Sequence, residues 1–266
     1  MARSGRVEPT KGEKLLTRYS KIKKLVFENG TVSIDTLVDT LGVSRMTILR
    51  DIEHLETRGF LRKVRNGATA LPSSKFESSI SFRLESAVLE KKRLAKAALK
   101  IISPGEAVIL DEATTLLPMI EGLIAMGDVT IVTNFQNIID KLHTIDVENV
   151  VRLIALGGEY IPQFATYSGT VCKASLSCIK ADAYFTSVSA VSGGYAYHPH
   201  SLIAETKQSM MAAAHRRYLL IDHDKLGKTA LHQVAELNAF DAIIVDKIPD
   251  PAFWPESLRE KTIVAS

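Results

Sequence analysis

The chain has 266 residues, 46% of them hydrophobic and 24% charged, which is enough for one large domain, or for a small domain joined to a larger one, with a sizeable core. Net charge is only +3, but residues 1–75 carry 15 Lys+Arg against 8 Asp+Glu, a net +7, while the remainder carries 18 against 22, a net −4. No apolar run approaches membrane-spanning length, and the two cysteines, Cys172 and Cys178, match neither a redox CxxC nor a zinc pair, so they read as buried free thiols. A basic head on a mildly acidic body suits a DNA-binding module attached to something else. The opening segment, MARSGRVEPTKGEK, is polar and lacks the apolar core of a signal peptide. Residues 1–12 are therefore expected to form a disordered tail, and the protein is expected to be soluble and cytoplasmic.

A first helix is predicted over residues 13–28, with Leu15, Tyr19, Ile22 and Val26 on one side and Asn29-Gly30 at its end. Lys21, Lys23 and Lys24 can lie towards a phosphate backbone or form a solvated basic face. The next stretch, TVSIDTLVDTLGVSRMTILR, reads as two short helices joined by a tight turn. Ser33 is an N-cap, and Ile34, Leu37, Val38 and Leu41 follow at the spacing of one buried stripe. Gly42 stops that helix because glycine takes a left-handed backbone without steric penalty. Ser44 caps the second helix, whose Ile48, Ile52 and Leu55 face inward. Arg45, Met46, Thr47, Leu49 and Arg50 are left near its exposed N-terminal end, the end a helix-turn-helix inserts into the major groove. An ordinary helical hairpin with solvated arginines is the alternative, but caps, spacing, turn and basic first turn all agree on DNA. Gly59 closes this helix. Two β-prone runs then flank Asn66-Gly67, a strong hairpin signal with Arg65 at its tip. Residues 13–71 thus read as a winged helix-turn-helix for double-stranded DNA. Its candidate contacts are Ser33, Ser44, Arg45, Met46, Thr47, Arg50, Arg65, Asn66 and Gly67.

Residues 72–84, opening on Pro72-Ser73-Ser74, are expected to be a linker. A long charged helix follows over residues 85–102, with Lys91-Lys92-Arg93 read as an exposed face rather than a DNA contact. From there strands and helices alternate. Residues 107–110, 129–132, 151–156, 184–186, 218–221 and 242–245 are predicted buried strands. The fold class is therefore α/β: residues 85–266 form a larger C-terminal domain with a mainly parallel sheet covered on both faces.

Ligands of open α/β sheets gather at the C-terminal ends of strands. Asp111 to Thr115 leaves a strand and enters a helix, where free N–H groups and the hydroxyls of Thr114 and Thr115 can meet a phosphate; threonines that only cap the helix are an equal alternative. Thr133-Asn134 and Gly157-Gly158 also follow strands, either admitting a ligand or making tight turns. Glu205 and Lys207 stand two apart on a helix start, and Lys225 lies in a loop after a strand; either lysine can pair with a phosphate or be solvated. His198-Pro199-His200 has no cysteine or carboxylate at a recognised spacing and reads as a polar loop, so no metal and no cofactor are expected. Trp254 is expected to anchor the C-terminal segment and to face a neighbouring subunit.

The run SRMTILRDIEHLETRGFLRKVRNGA resembles the DeoR family of bacterial repressors, whose pattern is a Ser-Arg-x-Thr-Ile-Arg-Arg-Asp-Leu helix followed by a wing ending in Gly-Gly-Ala. Leu49 replaces a family arginine, and Asn66 replaces the first wing glycine. The resemblance continues along the second domain, through Asp111-Glu112-Ala113-Thr114-Thr115, Thr133-Asn134, Leu156-Gly157-Gly158, Ala204-Glu205-Thr206-Lys207 and Asp222-His223-Asp224-Lys225-Leu226-Gly227. It implies an effector domain related in fold to ribose-5-phosphate isomerase and coenzyme A transferases, sensing a phosphorylated sugar. It also tips the Asp111 turn towards phosphate. The effector residues it implies are Asp111, Thr114, Thr115, Thr133, Asn134, Gly157, Gly158, Ser187, Glu205, Lys207 and Lys225. Glu112 and Ala113 stand where the family has Ser and Gly. Thr186-Ser187-Val188-Ser189 aligns with the family's Gly-Ala-Asp-Gly, so Val188 replaces an aspartate that would bind sugar hydroxyls. The expectation is a homo-oligomeric repressor, dimer or tetramer, of a carbohydrate catabolic operon, binding operator DNA and a small anionic metabolite. The rivals are an isomerase or transferase with a DNA-binding appendage, which Val188 disfavours by removing a carboxylate base, and a regulator whose effector pocket has decayed.

Overall fold

Leu37, Ile48, Ile52 and Leu55, spaced along two short helices, are fully buried and close the core of the first of two units into which the chain divides, Met1–Pro72 and Ser73–Ser266. This computed structural model describes residues 11–58, 60–69, 80–146, 148, 150–251 and 254–266. Residues 1–10 of the expected tail, Gly59, the hairpin's far end at Ala70 and Leu71, the linker's Pro72-Ser73-Ser74, and Ala252-Phe253 lie outside the described residues.

The first unit runs α1 (Lys11–Asn29), β1 (Thr31–Ser33), α2 (Ile34–Leu41), α3 (Arg45–Thr57), β2 (Arg62–Val64) and β3 (Gly67–Thr69). Helix α1 takes in residues 11 and 12, which were expected in the tail. Both expected caps form: Ser33 accepts from the Thr36 N–H at 3.0 Å and Ser44 from the Thr47 N–H at 3.3 Å. Gly42 ends α2 at φ +65°, its N–H donating to Val38. The wing is a three-stranded antiparallel sheet with β3 in the centre, β1 being a strand the sequence reading did not foresee. Val64 pairs with Gly67, so the turn residues are Arg65 and Asn66, one position earlier than the Asn66-Gly67 turn expected. Gly67 belongs to β3 instead, because β1 passes so close that a Cβ there would sit 2.0 Å from the Val32 carbonyl oxygen. Arg18 of α1 grips the buried Asp51 of α3 with both arms, at 2.5 and 2.9 Å, and that hydrogen bonding holds its guanidinium above its usual pKa.

The second unit opens with α4 (Ile80–Glu85) and α5 (Val88–Leu99). One helix was expected from residue 85, with linker before it. The chain breaks instead at Ala87, which takes φ +48°, and residues 80–84 are helical. Then come β4 (Ala107–Leu110), α6 (Met119–Met126), β5 (Thr130–Thr133), α7 (Gln136–Ile145), β6 (Arg152–Ala155), β7 (Glu159–Ile161), β8 (Thr166–Ser168), α8 (Gly169–Ser177), β9 (Ala181–Thr186), β10 (Ala190–Ser192), β11 (Tyr195–His198), α9 (Ser201–Ala212), β12 (Ala214–Ile221), β13 (His232–Glu236), β14 (Ala242–Val245) and β15 (Thr262–Val264).

Seven strands form one parallel sheet, in the order β15-β14-β12-β9-β4-β5-β6. Successive side chains of a strand point to opposite faces. Val108, Leu110, Ile131, Phe185 and Leu220 therefore enter one core with Leu94, Ile120 and Ile138 of α5, α6 and α7. Ile109, Val132, Tyr184 and Leu219 enter another with Cys172 and Met210 of α8 and α9. Both faces are covered, which is why the strands read as continuous apolar runs. Two small antiparallel sheets, β7-β8 and β10-β11-β13, were not foreseen. Cys172 is buried as expected, whereas Cys178 is exposed because it lies just past the end of α8. Trp254 is buried, and its indole N–H donates to Thr262 Oγ1 at 2.9 Å, anchoring β15. Among the described residues no helix is long and apolar enough to cross a membrane.

Candidate functional sites

In the first unit the residues expected to read DNA divide by role. Met46 and Arg50 on α3, and Arg65 and Asn66 on the wing turn, are exposed. Ser33, Ser44 and Thr47 are committed to capping, and Gly67 is a buried packing residue. Arg45 bonds Asp35 of α2 and donates to Asn66 Oδ1 at 3.1 Å, so it ties the first turn of α3 to the wing tip. Glu56 accepts the Lys63 N–H at 2.7 Å, and Lys63 Nζ lies 2.7 Å from Glu53, bracing β2 against α3. Lys23 is placed over the Phe60 ring at 4.5 Å.

In the second unit the site lies along the C-terminal ends of β4, β5 and β9. Leu110 is in register with Thr133 on one side and Phe185 on the other, so Asp111, Asn134 and Thr186 follow side by side. Asp111 Oδ2 accepts from the Tyr184 hydroxyl at 2.6 Å, from Thr186 Oγ1, and from Lys207 Nζ at 2.7 Å. Lys207 also lies 2.7 Å from Glu112 Oε1 and donates to the Ser187 carbonyl at 3.0 Å. Lysine has three N–H donors, and these three acceptors occupy them. Burial works against the ammonium, yet Asp111 and Glu112 together hold Lys207 above its usual pKa. Burial also pushes the Glu112 carboxyl up, opposed by Lys207. Two acidic residues around one cation leave this buried group net negative when all three are ionised. Glu112 Oε2 and Asn134 Oδ1 are buried with no hydrogen-bond partner among the described residues.

A second, more cationic group adjoins the first through Ser187. Lys225 Nζ donates to Ser187 Oγ at 2.8 Å and lies 3.1 Å from Asp222 Oδ2. Burial disfavours the Asp222 carboxylate, but Lys225, with Lys91, holds its pKa below the usual range. Lys91 and Thr114 both donate to the Arg83 carbonyl, Thr114 at 3.2 Å. Burial, reinforced by the neighbouring Lys225, brings the Lys91 amine down to about 7. The Arg83 guanidinium lies over Phe164 at 5.3 Å, and Phe164 is flanked by His198 and His200, each at 5.5 Å.

Arg83 and Lys91 were missed in the sequence, and Lys91 was misplaced on an exposed face. The signal was present. Lys91, Leu94, Ala95 and Ala98 are spaced i, i+3, i+4, i+7 and form the buried stripe of α5.

The remaining candidates separate. Thr115 is buried beside Thr114 in a short 3₁₀ turn that precedes α6. Thr133 accepts from the Phe135 N–H at 3.1 Å, and Asn134 Nδ2 donates to the Tyr167 carbonyl at 2.8 Å, so both shape the strand end. Gly158 is required where it is, since a Cβ would meet the Ser168 carbonyl oxygen at 2.3 Å, whereas Gly157 has open space around its Cβ position. Glu205 is exposed and paired with Lys173, because residues two apart on a helix point about 200° apart while Lys207 faces inward. Val188 is buried in the core shared with α8 and α9. Among the described residues no cluster of His, Cys, Asp and Glu is arranged to hold a metal.

Comparison with known proteins matches residues 18–74 to the DeoR-like helix-turn-helix domain and residues 86–247 to the DeoR C terminal sensor domain. The chain is 30% identical over 233 residues to the lactose phosphotransferase system repressor of Staphylococcus epidermidis, covering 86% of this chain and 91% of that one. It is 30% identical over 236 residues to the HTH-type transcriptional repressor GlcR of Bacillus subtilis, covering 89% and 90%. It is 32% identical over 236 residues to the HTH-type transcriptional regulator YgbI of Escherichia coli, covering 88% and 91%. A likeness to ribose 5 phosphate isomerase A from Neisseria gonorrhoeae covers 51% of this chain and 52% of that one, at 13% identity and a TM-score of 0.37. The isomerase likeness is too slight to bear on function, and the matched relatives are transcriptional regulators rather than enzymes. With both of its domains matched, the chain belongs to the DeoR family of DNA-binding transcriptional regulators.

Proposed function

We propose that the protein represses a carbohydrate catabolic operon and is released from its operator by a phosphorylated sugar or a related anionic metabolite. The observation that carries the effector reading is the pair Lys91 and Lys225 beside Asp222, with Lys225 on Ser187 and with Thr114 sharing the Arg83 carbonyl with Lys91, at the strand ends where α/β sheets bind ligands. Lys225 and, when protonated, Lys91 bring two positive charges beside the Asp222 carboxylate, and a dianionic phosphate would favour the protonated form of Lys91. Lys207 is not part of this anion end, since its donors are already occupied. The repressor reading is supported by the relatives, which include a lactose phosphotransferase system repressor and the transcriptional repressor GlcR.

A two-fold operator read by two heads requires at least a dimer, with half-sites about 10 bp apart or a multiple of that. Effector control requires the ligand to bind the DNA-competent and DNA-incompetent states with different affinity.

The test is operator binding by fluorescence anisotropy, using DNA from upstream of the chain's own gene, with a panel of sugar phosphates. One of them should weaken operator binding by about 5- to 150-fold, and Thr114→Val and Lys225→Met should blunt that response. If no compound alters operator affinity or raises the melting temperature, the effector half of the proposal is wrong, and the protein is a DNA-binding regulator without a working metabolite site.

A further inference from the structure

Glu112 follows Asp111 at the end of β4, and its second carboxylate oxygen gives the site a chemistry of its own. The residue is 1% exposed. Its Oε1 is used by Lys207 at 2.7 Å, while its Oε2 has no partner among the described residues. On the adjacent strand end, Asn134 Oδ1 is in the same condition. A buried acceptor left without a hydrogen bond keeps its full desolvation penalty, which is larger still for a charged group. Lys207 cannot relieve either atom, since its three donors are already placed on Asp111, Glu112 and the Ser187 carbonyl. Two acceptors at neighbouring strand ends, Glu112 Oε2 and Asn134 Oδ1, are therefore left without a donor among the described residues.

We propose that Glu112 determines the specificity of this pocket: its Oε2 accepts a hydrogen bond from a hydroxyl of the bound metabolite, so that the site selects polyhydroxylated phosphate esters ending in an alcohol over those ending in a carboxylate. This rests on the anionic-metabolite reading above, in which the phosphate lies with Lys91 and Lys225. A hydroxyl supplies the missing donor. A carboxylate at the same end brings a further acceptor and a like charge to a group that already carries two carboxylates against one ammonium. Asn134 Oδ1, on the neighbouring strand end, is the acceptor this reading assigns to a second hydroxyl.

The experiment is calorimetry on the full chain with matched pairs of probes, an alditol phosphate and the aldonate phosphate of the same four, five or six carbons. Inorganic phosphate is titrated alongside to report the anion end alone. Wild-type protein should prefer the alcohol member of at least one pair by tenfold or more. In Glu112→Gln the amide oxygen stays with Lys207 and the NH2 takes the Oε2 position, turning an acceptor into a donor, so the preference should fall at least tenfold or reverse. If circular dichroism shows that Glu112→Gln is unfolded, Glu112→Ser replaces it and should likewise erase the preference. An alcohol-to-acid ratio that is unchanged in the folded variant would overturn the inference and leave Glu112 as a structural partner of Lys207. If neither the esters nor inorganic phosphate bind the wild type, the anionic-metabolite reading itself fails, and this inference falls with it.

Discussion

The Lys207 ammonium lies 2.7 Å from Asp111 Oδ2, and neither side chain is more than 1% exposed. An ion pair so buried adds little net stability when intact, but removing one partner leaves an uncompensated charge in a low dielectric. Lys207→Met strands two carboxylates, Asp111 and Glu112. It should destabilise the second unit by about 3–5 kcal/mol, read from urea unfolding. Adding Asp111→Asn and Glu112→Gln to Lys207→Met should recover a large part of that loss. A loss of under about 1 kcal/mol in the single variant would mean that the group is hydrated rather than sealed.

Lys91 gives a pH signature. Its amine titrates at about 7 in the folded chain, against 10.5 ordinarily, because burial and Lys225 outweigh the favourable Asp222 and Glu90, with Arg83 adding to the lowering. Below pH 7 the amine is protonated in folded and unfolded chains alike, and the cost of burying the charge is fully present. Between pH 7 and 10.5 the unfolded chain keeps a proton that the folded chain has released, so this residue makes stability rise with pH across that window. An anion beside Lys91 favours its protonated form. Sulfate, whose charge is fixed in this range, should therefore bind with uptake of a proton and weaken as pH rises from 7 to 8.5. Calorimetry in buffers of different ionisation enthalpy reads the proton directly. Lys91→Met should remove the uptake; uptake that persists in the variant assigns it to another group.

What was legible in the sequence was local. Ser33, Gly42 and Ser44 announce the helix-turn-helix because caps and left-handed turns are chosen within a few residues. The runs at 107–110 and 242–245 announce buried parallel strands because both faces are covered. Asp111 could be placed at a strand end for the same reason. The partners of Asp111 could not be read, since Lys207 is 96 residues away and only the closing of α9 onto the sheet brings it there. Glu112 was legible only as a departure from the residue the resemblance implies, and its pairing with Lys207 is equally non-local. The short strands β7, β8, β10 and β11 have three or four residues each, too few for a period to show. Lys91 was misread for a different reason: a run of three cations suggested solvent, while the helical spacing to Leu94 and Ala98 pointed inward.

The wing should fail through Gly67 without any loss of a DNA contact. A Cβ at that position would lie 2.0 Å from the Val32 carbonyl oxygen, and backbone cannot swing aside as a side-chain tip can. Gly67→Ala should cost about 1–3 kcal/mol through forced separation of β1 from β3. Operator affinity should fall with it, since Arg65 and Asn66 are carried by the turn between β2 and β3. Full stability together with normal affinity in this variant would show that the sheet can open at β1 at no cost.

Arg50 and Arg65 are both exposed cations of the DNA-binding unit, but they stand on different elements and should report differently. Arg50 lies on the helix that enters the major groove in this class of domain, where a bidentate contact to a base discriminates sequence by about 1–3 kcal/mol. Arg50→Ala should therefore weaken operator binding by that amount and leave binding to random DNA nearly unchanged. Arg65 stands on the wing turn, where a phosphate contact carries no sequence information. Arg65→Ala should weaken operator and random DNA alike, and reduce the salt dependence of binding by about one unit of log–log slope, as for one fewer neutralised phosphate. The two variants are to be titrated against operator and random duplexes at several salt concentrations. Equal losses on both duplexes for Arg50→Ala would make it a phosphate contact. An unchanged salt slope for Arg65→Ala would remove the wing tip from the electrostatic footprint, and leave Asn66 with its tie to Arg45 as the wing's remaining link to the reading helix through that turn.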